Sequence, residues 1–317
     1  MGQSPVHNVM IDATPPVNPD PSGINTFAHA VHVWNRHRIM NAEWNFCHDN
    51  ASGVAGYSYE FSTSADTVPD LIIDTTPGPF ERRIASPLLE DSANWYFHVR
   101  SVDRAGNGGI GAAHIGPYNI DATPPSAPVL TPNVPAATMI WSNSMQITVD
   151  YDTVPDNLSG NAEVRYSFTE HSTSDPRSGN MASGGRISSG DLRDSIRWWC
   201  HAIVVDQAGN RSEIAHLGNF KKDSTPPTVP DIRFRHERDS ANYTVFWNGS
   251  NDNLSGVQCV DVLYRIDNSF DYTMWKNCPL EYNALFQPEE GHRYRFYIEA
   301  RDEAGNASGR RGSFEFR

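Results

Sequence analysis

Three short patterns recur three times each in this chain, always in the same order, and they limit its fold more than any other feature. D-x-T-P-P stands at Asp12 to Pro16, Asp121 to Pro125 and Asp223 to Pro227. D-N-x-S-G stands at Asp49 to Gly53, Asp156 to Gly160 and Asp252 to Gly256. D-x-A-G-N stands at Asp103 to Asn107, Asp206 to Asn210 and Asp302 to Asn306. The period is about one hundred residues, which is the size of an independent domain. It is too long for a solenoid, whose units run to roughly 20–50 residues. The spacing predicts three domains, at residues 12–120, 121–222 and 223–317, with residues 1–11 a leading strand or the tail of an upstream module.

The local pattern inside each unit is β. Ahead of each D-x-A-G-N, apolar residues alternate with period two: Trp95, Phe97 and Val99, then Trp198, Cys200, Ala202 and Val204, then Tyr294, Phe296, Ile298 and Ala300. Alternation of this kind marks a half-buried antiparallel strand. No helical stripe of comparable length competes with it. The 22 prolines and 23 glycines fall at strand-and-turn intervals. The expected fold is all-β: three tandem antiparallel β-sandwiches joined by short Pro-rich linkers.

At these residues the chain resembles fibronectin type III modules, in the Ig-like variety that bacterial secreted and surface proteins carry. Trp247 stands five residues before Asp252, where the family has its strand-B tryptophan; Trp44 is in register in the first unit and Tyr151 in the second. Tyr59, Tyr166 and Tyr264 match the strand-C aromatics, and Tyr294, after Pro288 to Arg293, matches the corner tyrosine. The first two units depart from the family: they carry Trp at the corner, and their middles are longer and irregular. The resemblance covers nearly the whole chain and implies an extracellular or cell-surface location. It says little of function, because such modules serve many roles. His7 to Ile11 resembles Gly116 to Ile120, and Gly312 to Arg317 is the counterpart of Gly218 to Asp223. These two ends suggest a segment of a longer array, or a subunit that continues head to tail.

Composition excludes several classes. The net charge of −13 argues against nucleic acid, whose binding rests on Lys and Arg. No apolar run approaches the ~20 residues of a membrane helix, and Met1 to Pro5 lacks a signal-peptide pattern. The motif scan finds no nucleophile elbow, phosphate loop or H-E-x-x-H, so the chain is not expected to be an enzyme. Of the four cysteines, Cys259 and Cys278 can face each other across a hairpin turning at Asp267 to Ser269, and are predicted to be disulfide-bonded; Cys47 and Cys200 read as small core residues.

In the topology that the resemblance implies, the linker and the loops after the second and sixth strands share one pole. The acidic patterns of each unit would therefore converge. The candidate ligand sets are Asp12, Asp49, Asn50, Asp103 and Asn107; Asp121, Asp156, Asn157, Asp206 and Asn210; and Asp223, Asp252, Asn253, Asp302 and Asn306. Calcium takes about six to eight oxygen ligands of these kinds, and clustered carboxylates repel one another without a cation. Plain turn chemistry is the competing reading, since Asp, Asn, Ser and Gly build turns unaided. Two prolines also stiffen a linker without any ion. Trp199 should face outward beside His201 and Ile203, where an aromatic could stack on a sugar or a protein. The other histidines, His29, His32 and His37 among them, are scattered without ligand spacing.

The leading expectation is a stalk or spacer of a surface or secreted protein, contacting neighbouring modules of its own array and stiffened by calcium. The alternatives are adhesin modules that bind carbohydrate or protein, and a subunit that assembles head to tail into a filament or surface layer.

Overall fold

The computed structural model describes residues 9–78, 81–133, 139–144, 146–313 and 315–316. His7, Asn8, Phe314 and Arg317, on which the resemblance between the chain's ends partly rests, lie outside the described residues. The first repeat forms β1 (Asn25–Phe27), β2 (Trp34–Asn35), β3 (Asn41–Glu43), β4 (Val54–Ser62), β5 (Arg83–Ala85), β6 (Ser92–Asp103) and β7 (Ala113–Ile120). The second forms β8 (Val129–Pro132), β9 (Trp141–Ser142), β10 (Thr148–Asp152), β11 (Asn161–Thr169), β12 (Asn180–Ala182), β13 (Arg186–Ser188), β14 (Ser195–Asp206) and β15 (Ala215–Lys222). The third forms β16 (Ile232–His236), β17 (Tyr243–Trp247), β18 (Val257–Ile266), β19 (Thr273–Lys276), β20 (Asn283–Phe286), β21 (Tyr294–Asp302) and β22 (Arg311–Gly312).

Each repeat is a β-sandwich. Its smaller sheet has three strands: β1-β3-β5, β8-β10-β13 and β16-β17-β20. Its larger sheet is β2-β7-β6-β4, β12-β11-β14-β15-β9 or β19-β18-β21-β22. In the first repeat Ala42 from β3 packs with Tyr57 of β4, Phe97 and Val99 of β6 and Ala113 of β7. In the third, Val245 and Trp247 of β17 meet Phe286 of β20 and Phe296 and Ile298 of β21. In the second, Val149 of β10, Ile187 of β13, Cys200 and Ala202 of β14 and Phe220 of β15 are buried. Truncating a ring such as Phe97 or Phe296 to alanine in such a core costs about 3–5 kcal/mol.

The long strands β6, β14 and β21 enter through a bracket whose polarity differs between repeats. The Trp95 indole N–H donates to the Glu90 carbonyl at 2.7 Å, and the Trp198 indole N–H to the Arg193 carbonyl at 3.0 Å. In the third repeat the Tyr294 hydroxyl instead accepts from the Glu289 N–H at 3.1 Å. Indole can only donate, so the tryptophans close the same corner onto a carbonyl.

Two features differ from a purely antiparallel alternation. β2 pairs with β7, and β9 with β15, in parallel. In the first repeat the chain between β1 and β2 changes sheet, with Ala28 and His32 at positive φ. The second difference is that His201 and Ile203 are buried, although alternation places them outside. Polar groups at the end of β11 and in the loop after it lie on this face: His201 Nε2 meets Thr169 Oγ1 at 2.9 Å, and Thr169 in turn meets Ser174. The irregular middle of the first repeat has no strand between β4 and β5 among the described residues. Asp74 there accepts the Tyr59 N–H at 2.8 Å.

The chain divides into two compact units. The first comprises residues 1–127, 154–163 and 204–213; the second comprises 128–153, 164–203 and 214–317. This division cuts the chain differently from the repeats: residues 154–163 and 204–213 fall with Asp121, to which Ser159 and Asn210 donate hydrogen bonds. Cys259 and Cys278 form a disulfide with their Cα atoms 4.9 Å apart, closing a 19-residue span beside the β18–β19 hairpin. A closure of that length stabilises by about 3 kcal/mol.

Candidate metal centre

The first aspartate of each repeat opens a tight turn. One carboxylate oxygen of Asp12 accepts the Thr14 N–H at 2.9 Å, and the other accepts the Ser52 N–H at 2.9 Å. Asp121 does the same with Thr123 and Ser159, and Asp223 with Thr225 and Ser255. One oxygen of the second aspartate folds the D-N-x-S-G loop around itself. Asp49 Oδ2 accepts from Ala51 and Gly53, Asp156 Oδ2 from Leu158 and Gly160, and Asp252 Oδ2 from Leu254 and Gly256. Those glycines sit at φ +79°, +78° and +89°, which a side chain rarely adopts.

The third aspartate ends β6, β14 or β21 and is capped by the asparagine of D-x-A-G-N. Asn107 donates its backbone N–H and its side-chain amide to Asp103, each at 2.8 Å. The same amide nitrogen reaches the Asp12 carbonyl at 3.2 Å. Asn210 links Asp206 to the Asp121 carbonyl at 2.7 Å, and Asn306 links Asp302 to the Asp223 carbonyl at 2.9 Å. Both partners are acceptors, so the nitrogen of each amide must face them. Asn107, Asn210 and Asn306 therefore hold carboxylates in place with their nitrogens. Asn50, Asn157 and Asn253 are exposed turn residues.

The result is three carboxylate triads: Asp12, Asp49 and Asp103; Asp121, Asp156 and Asp206; Asp223, Asp252 and Asp302. Within each, one carboxylate oxygen per residue lies within 4.8 Å of the others. The second triad falls wholly in the first compact unit and the third wholly in the second. Asp103, Asp121, Asp206, Asp223 and Asp302 are buried. Burial pushes the Asp121 carboxyl up from its ordinary range, and the neighbouring Asp156 carboxylate adds to the rise.

Turn bonds occupy both oxygens of the first and third aspartates, but only one of the second. Asp49 Oδ1 and Asp252 Oδ1 are buried without a hydrogen-bond partner. The hydroxyl oxygens of Ser52, Ser159 and Ser255 are also buried and make no well-aligned hydrogen bond, although those of Ser52 and Ser159 lie close enough to Asp12 and Asp121 to favour their charged forms. Ser159 is only 4% exposed and Ser255 only 8%. Leaving such groups unpaired costs about 1–3 kcal/mol each, more for a charged oxygen. An all-oxygen, triply anionic donor set suits a hard divalent cation such as calcium, and not a thiolate- or imidazole-seeking metal.

Other polar side chains escaped the sequence reading. Asp91 accepts the Ala122 N–H and the Thr123 hydroxyl, at 2.9 and 2.6 Å. Asp194 accepts from Ser224, Thr225 and the buried ammonium of Lys222, the last at 3.0 Å. Burial opposes the Asp194 charge, yet these donors hold its carboxyl well below the usual range. Two histidine pairs were also missed, His98 with His114 and His201 with His216. Their signal was their shared place relative to D-x-A-G-N in the first two repeats. Trp199 is half-buried against Gly218: a Cβ there would meet the indole at 2.6 Å.

No family model matches the sequence, and no curated protein matches it. Among solved structures the chain is similar to the FN1–FN3 domains of chicken CNTN1, with 12% identity, 95% of this chain and 98% of that chain covered, and a TM-score of 0.36. At that score the likeness carries no weight for function. The class rests on the strand pairing and the repeated triads: an array of fibronectin type III-like β-sandwiches with an acidic bracket in each repeat.

Proposed function

We propose that the chain is a spacer segment of an extracellular or cell-surface protein, and that calcium held by the three carboxylate triads stiffens it. One observation carries the reading. The same three aspartates close on one another in every repeat with the same turn bonds, and the second aspartate keeps an oxygen that no turn bond uses. Turn chemistry explains the loops but gives no reason to bring three carboxylates within reach of one another, one of them buried in the first repeat and two in each of the others. A divalent cation supplies that reason, because it offsets their repulsion and takes up the spare oxygens. Asp49, Asp156 and Asp252 would be direct ligands through Oδ1, joined by the two flanking carboxylates and the serine hydroxyl.

Asp252→Asn separates the two readings. Asparagine can keep the Oδ oxygen that accepts from Leu254 and Gly256 while removing a negative charge and the spare oxygen. Calcium should raise the thermal midpoint of the wild-type chain over that in chelator, because a ligand of the folded state stabilises by mass action. In Asp252→Asn the calcium-dependent gain of the third repeat should shrink, while midpoints in chelator stay close to wild type or rise. Equal melting of the wild type in calcium and in chelator would overturn the proposal.

A further inference from the structure

The first two repeats share a buried imidazole pair that the third lacks. On β6 and β7, His98 and His114 are directly opposed, with Nδ1 to Nδ1 at 2.7 Å and rings edge to face at 5.0 Å. On β14 and β15, His201 and His216 repeat this at 2.7 Å and 4.9 Å. The inner ring is fully buried in both cases. Its Nε2 meets a hydroxyl that ends the neighbouring strand: Ser62 at 3.0 Å for His98, and Thr169 at 2.9 Å for His201. Each hydroxyl also contacts a second one in the following loop, Thr67 or Ser174. In the third repeat the equivalent strand position is Tyr297, opposite Gly312.

A contact of 2.7 Å between two Nδ1 atoms requires one proton between them. One ring donates and the other accepts. A first added proton can go to Nε2 of the donating ring, which leaves the contact intact. A second must go to Nδ1 of the accepting ring, where it points into the other N–H. The hydrogen bond is then lost and two cations face each other across paired strands. We infer that each pair is an acid-sensitive latch on its strand pair, β6–β7 in the first repeat and β14–β15 in the second, closed with up to one added proton and opened by the second.

The surroundings do not supply a compensating charge at both sites. Around His98 stand Glu60, opposite it on β4, Arg100 further along β6, Asp66 in the loop after β4, and the Tyr96 ring at 6.1 Å. Around His201 stand the neutral hydroxyls of Thr169 and Ser174 and the His171 backbone; Trp199 lies on its own strand, and Arg165 of β11 donates to the Arg177 carbonyl. Burial and the facing imidazole hold both His98 and His201 down to about 4. The sign follows from that depression. The unfolded chain takes up the second proton near the usual histidine value of about 6.5, before the folded chain can. Stability from the latch is therefore complete above that value and drains away as pH falls toward about 4. β7 and β15 run directly into Asp121 and Asp223, so opening also loosens the strands that carry two of the bracket aspartates.

The test is hydrogen exchange of the full chain in chelator, corrected for the intrinsic effect of pH and resolved by peptide. Protection in β7 and β15 should fall about tenfold per pH unit below about pH 6, the slope of one linked proton. Protection in β21 and β22 should fall less steeply; that repeat reports any effect of protonating aspartates common to all three. His114→Gln and His216→Gln cannot form the dication and should make the slope shallower in their own repeats without abolishing it, because burial alone still disfavours a charged inner ring. An equal slope in all three repeats, or a slope unchanged in the glutamine variants, overturns the inference. If a variant does not fold, the imidazole nitrogen resonances of the wild type decide. The inference holds if the inner rings stay neutral where the unfolded chain is charged. It fails if both rings of a pair become charged with protection intact.

Discussion

At the scale of single residues, the aspartates were legible and the asparagines were not. Nine aspartates at fixed places in a repeated pattern point to one pole of each repeat, and all nine arrive there. Sequence could not assign the asparagine atoms, because an amide offers both an oxygen and a nitrogen. Asn210 is decided by its two acceptors, the Asp206 carboxylate and the Asp121 carbonyl. The serine hydroxyls were passed over as turn residues, since their burial depends on a linker distant in sequence. Asn210→Ala leaves both acceptors short of a donor in a buried setting, at a cost of about 1–3 kcal/mol. Asn210→Asp places an acceptor against those same acceptors and should cost more in chelator than alanine does. Urea denaturation of both variants in chelator checks the order; Asn210→Asp more stable than Asn210→Ala would show that the amide nitrogen does not hold the bracket.

At the scale of elements, alternation located β6, β14 and β21 because one face packs into each sandwich. It failed on the opposite face. His98 and His201 are buried there by hydroxyls and imidazoles from neighbouring strands, which no local pattern encodes. The two-residue strands β2 and β9 left no periodicity to read, so their parallel pairing was invisible. The Trp-for-Tyr exchange at the corner was visible, and its meaning came only with the bond it makes. Trp95→Phe and Trp198→Phe remove an N–H donor from a backbone carbonyl, and Tyr294→Phe removes the acceptor of the Glu289 N–H. Each should lower stability by about 1 kcal/mol, the net worth of one hydrogen bond. Chemical denaturation checks this; a stability unchanged in all three would mean the corners are held by packing alone.

At the scale of the whole molecule, the sulfur atoms provide a separate reporter for each repeat. Cys47 lies in the first, Cys200 in the second, and the Cys259–Cys278 bond in the third. Both free cysteines are buried, and burial pushes their thiols up to about 11 for Cys47 and about 12 for Cys200. A thiol reacts as its thiolate, so in the folded chain both should be inert at neutral pH. The unfolded chain ionises them near the ordinary value of about 8.5, so this contribution to stability is complete below that pH and is lost as pH rises through the folded values. Cys47 also stands two residues before Asp49 of the first triad. If calcium holds that triad, labelling of Cys47 during a heat ramp at neutral pH should begin at a lower temperature in chelator than in calcium. Asp49→Asn keeps an oxygen for the Ala51 and Gly53 amides and removes the spare one. It should advance Cys47 labelling in calcium, and should label at a similar or higher temperature than wild type in chelator. Mass spectrometry of the labelled peptides reads each cysteine separately, so Cys200, in a repeat with its own triad, serves as the internal comparison. A Cys47 labelling temperature that ignores calcium in the wild type would remove the cation from the first repeat and leave its aspartates as turn formers.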